Sequence, residues 1–385
     1  MSVPVITSCQ LELLSYKYTP QEAWGWPGGR YDGWTSGFIR LTGEDGTVGY
    51  GEIGDGLNVR QMVRPIVDWT AERVTGLPAE PRGVLEKLTR AAPSWGHGGL
   101  YQSVVSGIEA ACFDLLGRHL GVPAHVLVGG AYRRELPAYA SGGLAEDPEE
   151  LAAEVRGYVA DGFQAVKIRI GYGLDRDEER VAAAREALGP DGDLMVDLGA
   201  SYLPDPPDVH QVIAMAARFE PYRLYWFEDP LPRTEVHAHA ILRGEMQTRL
   251  AFGEAERTPD HIVRMLEAGA VDIIQPDAVS TGGILRLVEL GALAQSHGAR
   301  LAPHTWCSGP GLMANLTVVA ASPAAVYLEV PRVPNPLREQ TLQEPLTLVD
   351  GKVQLPDTPG LGLNVTEEIR SWSYDPTAGP RLANA

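Results

Sequence analysis

The sequence has few cysteines and a deficit of positive charge. Only three of its 385 residues are cysteine, and none form a Cys-x-x-Cys pair. Such sparse use excludes a disulfide framework and indicates a reducing compartment. The 32 basic residues are outnumbered by 50 acidic ones, which gives a net charge of −18. This balance argues against nucleic acid or an anionic membrane as a partner, so an anionic ligand would need a local cationic pocket.

The sequence also lacks long apolar runs. No run approaches the length of a membrane-spanning helix. The first residues, MSVPVITSCQLELL, lack the basic segment and apolar core that mark a secretory signal. We therefore expect a cytosolic protein. Its length suits a barrel of about 250 residues with a second lobe better than a small single domain.

The stretch LYWFEDPL, residues 224–231, is the clearest structural signal in the chain. An apolar run that ends in acids and prolines predicts a buried parallel strand with carboxylates at its C-terminal tip. The segments DLMVD and LAFGE repeat the pattern and end on Asp197 and Glu254, each about one strand–helix–strand unit away. We expect these strands to deliver Asp197, Glu228 and Glu254 to one rim. Three carboxylates so close repel one another unless a cation holds them, and an all-oxygen site suits Mg²⁺.

From about residue 134, short apolar strands alternate with helical segments. The predicted strands are 136–140, 165–170, 193–197, 224–228, 250–254, 271–277, 300–304 and 325–329. Eight such repeats close an α/β barrel whose chemistry lies at the C-terminal strand tips. Residues 1–128 predict an α+β lobe, and residues 330–385, where the repeat stops, are expected to pack back on it. The predicted domains are therefore 1–128, 129–329 and 330–385.

Residues 18–34 are dense in aromatic residues and glycine. The aromatic residues include Trp24, Trp26, Tyr31 and Trp34. Bulky side chains on a flexible backbone suit a lid that excludes water when it closes. The alternative is a surface loop whose rings only pin it to the body of the protein.

Ionisable side chains stand at the tips of most predicted strands. They are Lys167, Arg169, Asp197, Glu228, Glu254, Asp277, His304 and Glu329. Each alone has a structural explanation: the cations could neutralise the acids, an acid could cap a helix, and a histidine could fill space with a hydrogen bond. So many at one rim are costly for a core and indicate a functional site.

These residues predict abstraction of the proton α to a substrate carboxylate. The metal would bind that carboxylate, Lys167 would add positive charge, and the cation would stabilise the enediolate that forms. His304 is the favoured base because histidine titrates near neutrality, with Asp277 fixing its tautomer. Glu329, if protonated or bridging, could donate to the substrate carboxylate. Arg169 is a poor base because its pKa stays above roughly 12 in proteins.

Over essentially its whole length the chain resembles the enolase superfamily and, within it, the mandelate racemase subgroup. The motifs that carry the resemblance are SGIEAACFDLLGRHLGVPAHVLVGG, AVKIRIG, LMVDLGASY, YWFEDPL, AFGEAER, IIQPDAVSTGG, APHTW and YLEV. The resemblance implies Mg²⁺ on the three carboxylates named above, an Asp277–His304 dyad, and Glu329 as partner of the substrate carboxylate or enediolate.

The resemblance also implies the architecture around the site. We expect a modified TIM barrel of the (β/α)7β type, an α+β capping domain completed by the C-terminal tail, and a symmetric homo-oligomer. The loop over residues 18–34 would read the substrate. Trp24, Tyr31 and Trp306 are the expected contacts of the substrate, since their rings suit stacking on a sugar face or on another apolar group.

Two positions depart from the family pattern. The usual Lys-x-Lys is Lys167-Ile168-Arg169, so the second lysine, the base on the opposite face, is missing. His304 is then the single competent base, which favours one-base chemistry over racemisation. Gly199 stands where relatives often have Asn, and we expect it to cost a polar contact and enlarge the pocket beside the metal.

The favoured function is dehydration of a sugar acid, as in an acid sugar dehydratase (a lyase). The alternative is an epimerase, racemase or cycloisomerase using the same enediolate, and a remoter one is a non-catalytic barrel that binds acid sugars. A zinc amidohydrolase, suggested by His237-Ala-His239, is rejected because these histidines lie in a helical stretch, not at a strand tip. Gly171-Tyr-Gly173 lacks the third glycine of a nucleotide fingerprint.

Overall fold

The computed structural model describes residues 2–54 and 60–382. Its first strands are β1 (Ile6–Lys17), β2 (Trp24–Trp26), β3 (Gly29–Tyr31), β4 (Gly33–Gly43) and β5 (Val48–Ile53). β4 lies between β1 and β5 in an antiparallel sheet, while β2 and β3 pair as a hairpin within the predicted lid. The turn between β4 and β5 falls at Glu44-Asp45-Gly46, where Gly46 has a φ of +82°.

Helices cover the first sheet. They are α1 (Arg60–Val74), α2 (Pro81–Ala91), α3 (Leu100–Leu120) and α4 (Ala124–Leu127). α3 contains most of the motif SGIEAACFDLLGRHLGVPAHVLVGG, and it is buried along most of its length. It lies very close to β5, because a Cβ at Gly51 would come within 2.0 Å of the carbonyl oxygen of Gly107. The mixed α and β character predicted for this part of the chain is confirmed.

The following part of the chain alternates strands with helices. The strands are β6 (Glu135–Gly142), β7 (Ala165–Arg169), β8 (Asp193–Asp197), β9 (Trp226–Glu228), β10 (Arg249–Phe252), β11 (Ile273–Ile274), β12 (Arg300–Leu301) and β13 (Leu328–Pro331). The helices are α5 (Pro148–Ala160), α6 (Leu174–Leu188), α7 (Val209–Phe219), α8 (Val236–Glu245), α9 (Pro259–Glu267), α10 (Gly283–Ser296) and α11 (Gly309–Ala321). Within residues 2–54 and 60–382, no helix combines the length and the hydropathy needed to cross a membrane.

The strands β6 to β13 form a closed ring. From β6 to β12 each strand pairs in parallel with the next along the chain, and β13 pairs with β6. A parallel bridge between Leu301 and Ala325 joins β12 to the segment that leads into β13. Eight strands closed in this way make a barrel. The predicted modified TIM barrel is therefore confirmed.

The strands β11 and β12 are much shorter than predicted. The sequence predicted strands over 271–277 and 300–304, but regular pairing is confined to β11 and β12. The next residues still donate single hydrogen bonds, from Gln275 N to Phe252 O and from Ala302 N to Ile274 O. Pro276 and Pro303 follow, and proline has no N–H to continue a ladder. The strand tips that carry Asp277 and His304 are therefore irregular backbone.

The C-terminal tail contacts both parts of the protein. Its elements are α12 (Pro336–Glu339), β14 (Leu348–Val349), β15 (Lys352–Gln354), α13 (Glu367–Arg370) and β16 (Pro380–Leu382). β15 pairs with the start of β6, which adds a contact with the barrel that the sequence did not predict. β16 pairs with β3, and Arg370 Nη2 lies 2.7 Å from Glu12 Oε1 in β1. The domain boundaries after residues 128 and 329 stay predictions, and β13 runs to Pro331.

Two buried carboxylates from the first lobe cap barrel helices. Glu109 in α3 accepts hydrogen bonds from Ile284 N (3.0 Å) and Leu285 N (2.9 Å) at the start of α10. Glu52 in β5 accepts from Ser308 N (2.9 Å) and Gly311 N (3.0 Å) at the start of α11. Burial raises the pKa of Glu109 to about 8 and of Glu52 to about 7. These caps tie the first lobe to the helices that follow Asp277 and His304.

Replacing Glu109 with alanine should destabilise the protein. The change leaves the N–H groups of Ile284 and Leu285 buried without their partner, and each such group costs roughly 1–3 kcal/mol. We expect Glu109→Ala to lower the free energy of unfolding, measured by urea denaturation, by about 3 kcal/mol or more. The control is Glu267→Ala, an exposed position in α9, which should change stability by less than about 0.5 kcal/mol. Equal stability of the two variants would contradict the capping role.

Candidate active site

Three carboxylates at the tips of adjacent strands form the centre of the site. Asp197 ends β8, Glu228 ends β9, and Glu254 follows the end of β10. Asp197 and Glu228 stand opposite each other in the parallel register. Each of the three residues offers a carboxylate oxygen within 4.8 Å of those of the other two, and all three side chains are buried. The structure thus brings together the three residues predicted as metal ligands; their role as ligands stays a prediction.

The electrostatics of this cluster favour a bound cation. Asp197 Oδ1 and Glu254 Oε2 are buried and have no hydrogen-bond partner among the described residues. Burial, with the charges of Asp197 and Glu329, raises the pKa of Glu228 to about 8 despite the opposing effect of Lys167. Burial, with the charges of Glu254, Asp197 and Glu228, also raises the pKa of Asp229 well above its ordinary value. A cluster of buried carboxylate oxygens, two of which lack a hydrogen-bond partner, fits a hard divalent cation such as Mg²⁺.

Lys167 and Arg169, on one face of β7, supply the positive charge within the described site. Lys167 Nζ lies 2.5 Å from Glu228 Oε1, 2.9 Å from Glu329 Oε1 and 3.3 Å from Asp197 Oδ2. Arg169 Nη1 lies 2.6 Å from Asp197 Oδ2. Although burial lowers them, the surrounding carboxylates raise the pKa values of both cations above their ordinary range. Both side chains are therefore charged, as the sequence predicted for Arg169.

His304 and Asp277 lie together as the predicted dyad. His304 Nδ1 is 2.8 Å from Asp277 Oδ2, and His304 Nε2 is 3.7 Å from Glu254 Oε2. Asp277 is itself held, because its Oδ1 accepts hydrogen bonds from Asn315 Nδ2 (2.8 Å) and Val279 N (3.0 Å). Burial lowers the pKa of His304, but the hydrogen bond to Asp277 and the charge of Glu254 raise it to about 9. With Nδ1 held by Asp277, Nε2 faces the carboxylate cluster.

Glu329 is fixed between the cluster and the aromatic residues of the rim. Its Oε2 accepts a hydrogen bond from Thr305 N (2.6 Å), and its Oε1 accepts one from Trp306 Nε1 (2.9 Å). Burial raises its pKa, but the charges of Lys167 and His304 outweigh burial and lower it to about 2. Glu329 is therefore ionised while Lys167 contacts it, which disfavours the protonated form considered from the sequence.

The predicted lid lies across the barrel rim. Trp24 stacks on Tyr31 with ring centroids 4.0 Å apart and planes at 11°. The Trp24 ring also meets Trp306 edge-on at 5.3 Å. The three residues predicted to contact substrate are thus adjacent, and Trp306 donates a hydrogen bond to Glu329. The rings hold the hairpin down as the structural interpretation expected, and their contact with substrate stays a prediction.

Several supporting residues were missed by the sequence analysis. Trp226 Nε1 (2.9 Å) and Gln275 Nε2 (2.8 Å) both donate to Glu228 Oε2. Trp226 stands two residues before Glu228 and therefore on the same strand face, which was a usable signal. Asn315, which holds Asp277, was marked only by being one of two polar residues, with Thr317, in the largely apolar helix α11. Ser141, which accepts from Trp306 Nε1 at 2.9 Å, carried no sequence signal.

Neutralising one of the three carboxylates should weaken metal binding. Glu228→Gln removes one anionic donor, and even residues that only support a metal ligand typically change affinity by roughly 10- to 100-fold. We expect Mg²⁺ affinity, measured by titration calorimetry with the metal alone, to fall about tenfold or more. Glu267→Gln, on the exposed face of α9, should leave it unchanged. Equal Mg²⁺ affinity in Glu228→Gln and wild type would place the metal elsewhere.

Comparison with known proteins agrees with this geometry. The family described as "Enolase C-terminal domain-like" matches residues 150–369. D-galactarolactone cycloisomerase of Agrobacterium fabrum is 33% identical over 377 residues, covering 94% of this chain and 97% of that protein. Arabinonate dehydratase of Saccharolobus solfataricus is 30% identical and covers 84% of this chain and 87% of its own.

A solved structure shares the whole architecture. The crystal structure of 3,6-anhydro-D-galactonate cycloisomerase from Zobellia galactanivorans superimposes with a TM-score of 0.85 at 26% identity, covering 96% of this chain and 100% of that one. The barrel and the capping lobe are therefore both covered by this similarity. The chain belongs to the enolase superfamily and, within it, to the mandelate racemase group.

Proposed function

We propose that the protein removes the proton α to the carboxylate of a sugar acid and then eliminates the substituent on the neighbouring carbon. The observation that carries the proposal is the orientation of His304, whose Nδ1 is bound to Asp277 while its Nε2 faces the carboxylate cluster. The similar proteins named above are dehydratases and cycloisomerases of sugar acids, which supports the same substrate class.

Different residues at the rim bind the metal, donate hydrogen bonds to the substrate and cover the site. Asp197, Glu228 and Glu254 would hold a divalent cation, which polarises a substrate carboxylate and stabilises the negative charge that develops on its oxygens. Lys167, already among the acids, donates hydrogen bonds to the same oxygens. Trp24 and Tyr31 cover the site and exclude water.

His304 moves the proton. When His304 is neutral, its Nδ1 proton lies in the hydrogen bond to Asp277 and Nε2 carries the lone pair. Because the pKa of His304 is raised to about 9, the neutral fraction is the form that acts as the base. Nε2 takes the α-proton, and the same proton is then returned to the leaving oxygen on the β-carbon. The C–H and C–O bonds break, a C=C bond forms, and water leaves. The enol product becomes a 3-deoxy-2-keto acid, so one base suffices.

Arg169 does not provide a second base. Its Nη1 contacts Asp197 Oδ2 at 2.6 Å, and Asp197 and Glu254 raise its pKa against the effect of burial. Racemisation and epimerisation need a proton acceptor on each face of the α-carbon, whereas β-elimination needs only His304. We therefore propose dehydration ahead of racemisation or epimerisation.

Ring opening by the same chemistry is the second candidate. Here the leaving oxygen belongs to a ring of the substrate and stays in the product, as in a cycloisomerase. The stacked faces of Trp24 and Tyr31 beside Trp306 favour a flat cyclic sugar acid. Two of the similar proteins reported above are named as cycloisomerases.

The substrate, the oligomeric state and the cellular location of the protein are predictions. A small sugar acid is the proposed substrate, and the homo-oligomeric state and the cytosolic location are expectations from the resemblance and the composition. Neither is needed for the chemistry described above, because every proposed catalytic residue comes from one chain.

Proton NMR in D₂O tests the proposed function. The wild-type protein with Mg²⁺ is incubated with pooled hexonates, hexarates, pentonates and anhydro sugar acids. We expect loss of one α-proton signal with formation of a 3-deoxy-2-keto product, whose mass is lower by one water for dehydration and unchanged for ring opening. Solvent exchange at the α-carbon without that product would favour an epimerase, and no reaction with any acid would contradict the proposal.

Replacing His304 should abolish turnover without loss of the metal. A general base contributes about 10²- to 10⁴-fold to a rate, so we expect His304→Asn to slow consumption of the active acid by at least about 100-fold. Mg²⁺ affinity by calorimetry should be unchanged. The matched control is His210→Asn on the exposed face of α7. A loss below about tenfold would show that His304 is not the base.

A further inference from the structure

The space left by Gly199 is filled by the lid. The sequence predicted that this glycine enlarges the pocket beside the metal, and that expectation is wrong. A Cβ at position 199 would lie 2.8 Å from Trp26 Cη2 and 3.0 Å from Trp26 Cζ3. The Trp26 ring therefore occupies the volume that a longer side chain would need. Gly199 follows the β8 tip two residues after Asp197, so this contact lies at the carboxylate cluster.

Trp26 also covers the cation that is paired with Asp197. The Arg169 guanidinium carbon is 4.8 Å from the centroid of the Trp26 ring and 5.4 Å from that of Trp306. Nη1 of the same guanidinium contacts Asp197 Oδ2. Arg169 is only 6% exposed, so these ring contacts are shielded from water, where cation–π attraction is strongest. One cation thus links the lid, the rim and a carboxylate of the cluster.

We propose that Trp26 packs on Gly199 and that its contact with Arg169 holds the β2–β3 hairpin closed above Asp197. We call these two contacts of Trp26 the latch. Gly199 and Trp26 are then positioning residues, because they act on the substrate through the closed lid. The consequence for substrate choice rests on the proposed function: the seated hairpin sets the space left for the sugar acid between Trp24 and the carboxylate cluster. A larger residue at position 199 would lift the hairpin and admit water.

Asparagine is the informative replacement at this position. Gly199 has a φ of +55° and a ψ of +43°, a left-handed conformation that asparagine tolerates better than other residues with a side chain. Gly121, which ends α3, has a similar φ of +70° and ψ of +27°, and a Cβ there would meet nothing within 4 Å. Gly121→Asn therefore places asparagine in a similar left-handed conformation without a steric clash, and it serves as the matched control.

Hydrogen–deuterium exchange tests the latch without a substrate. We would measure peptides covering residues 24–31 in the full-length protein with Mg²⁺. Gly199→Asn should speed their exchange by about fivefold or more, because the displaced ring frees the hairpin to open locally. Gly121→Asn should leave it as in wild type. Unchanged exchange in Gly199→Asn would overturn the proposal.

A second background shows whether Trp26 is the residue displaced. In Trp26→Ala, or in Trp26→Leu if the alanine variant unfolds, the hairpin should already exchange fast, and adding Gly199→Asn should have no further effect. An equal increase with and without Trp26 would place the clash elsewhere and overturn the proposal. Thermal unfolding of each variant separates local opening from loss of the fold.

The activity measurement separates the latch from the proposed function. With the sugar acid converted in the NMR screen, Gly199→Asn should raise KM by about tenfold and affect kcat less, and this effect should vanish in Trp26→Ala. An unchanged KM despite faster exchange would remove the role in substrate choice. If no acid is converted, the proposed function fails while the exchange experiment still decides the latch.

Discussion

The mutual repulsion of buried carboxylates is the constraint on which this site depends. Asp197, Glu228 and Glu254 stand on adjacent strands and converge within a few ångströms, where ionised groups cannot stay without compensation. Lys167 lies among them, and Arg169 neutralises Asp197 from one side. The remaining excess of negative charge is what a divalent cation would balance. The same charge raises the pKa of Lys167 and of Arg169 above their ordinary range. His304, whose pKa is raised to about 9, titrates closer to neutrality than either cation and is therefore the proposed site of proton transfer.

The first lobe completes this site in two ways. Its lid hairpin covers the rim through aromatic contacts, with Trp24 against Trp306 and Trp26 over Arg169. Its buried acids Glu52 and Glu109 cap the helices that follow the strands of His304 and Asp277. The first lobe therefore caps the helices next to the proposed base and also covers the site with its hairpin. The C-terminal strand β16 pairs with the lid hairpin and joins the tail to the same unit.

The sequence was sufficient for features that depend on chain order. Acids that end successive apolar strands must meet at one barrel rim, which is why the Asp197 cluster and the Asp277–His304 pair could be predicted. It was insufficient where side chains from distant segments compete for one space. Gly199 looked like an empty position because only the fold brings Trp26 to it. Asn315 was missed for the same reason, since nothing in α11 alone shows that it faces Asp277.

The central claim is that the three strand-tip carboxylates are a metal site. Anomalous diffraction from crystals soaked in millimolar Mn²⁺, a cation that uses the same oxygen ligands as Mg²⁺, tests it most directly. The account predicts one strong anomalous peak bounded by Asp197, Glu228 and Glu254. A peak bound to other residues, or no peak at these three, would contradict it.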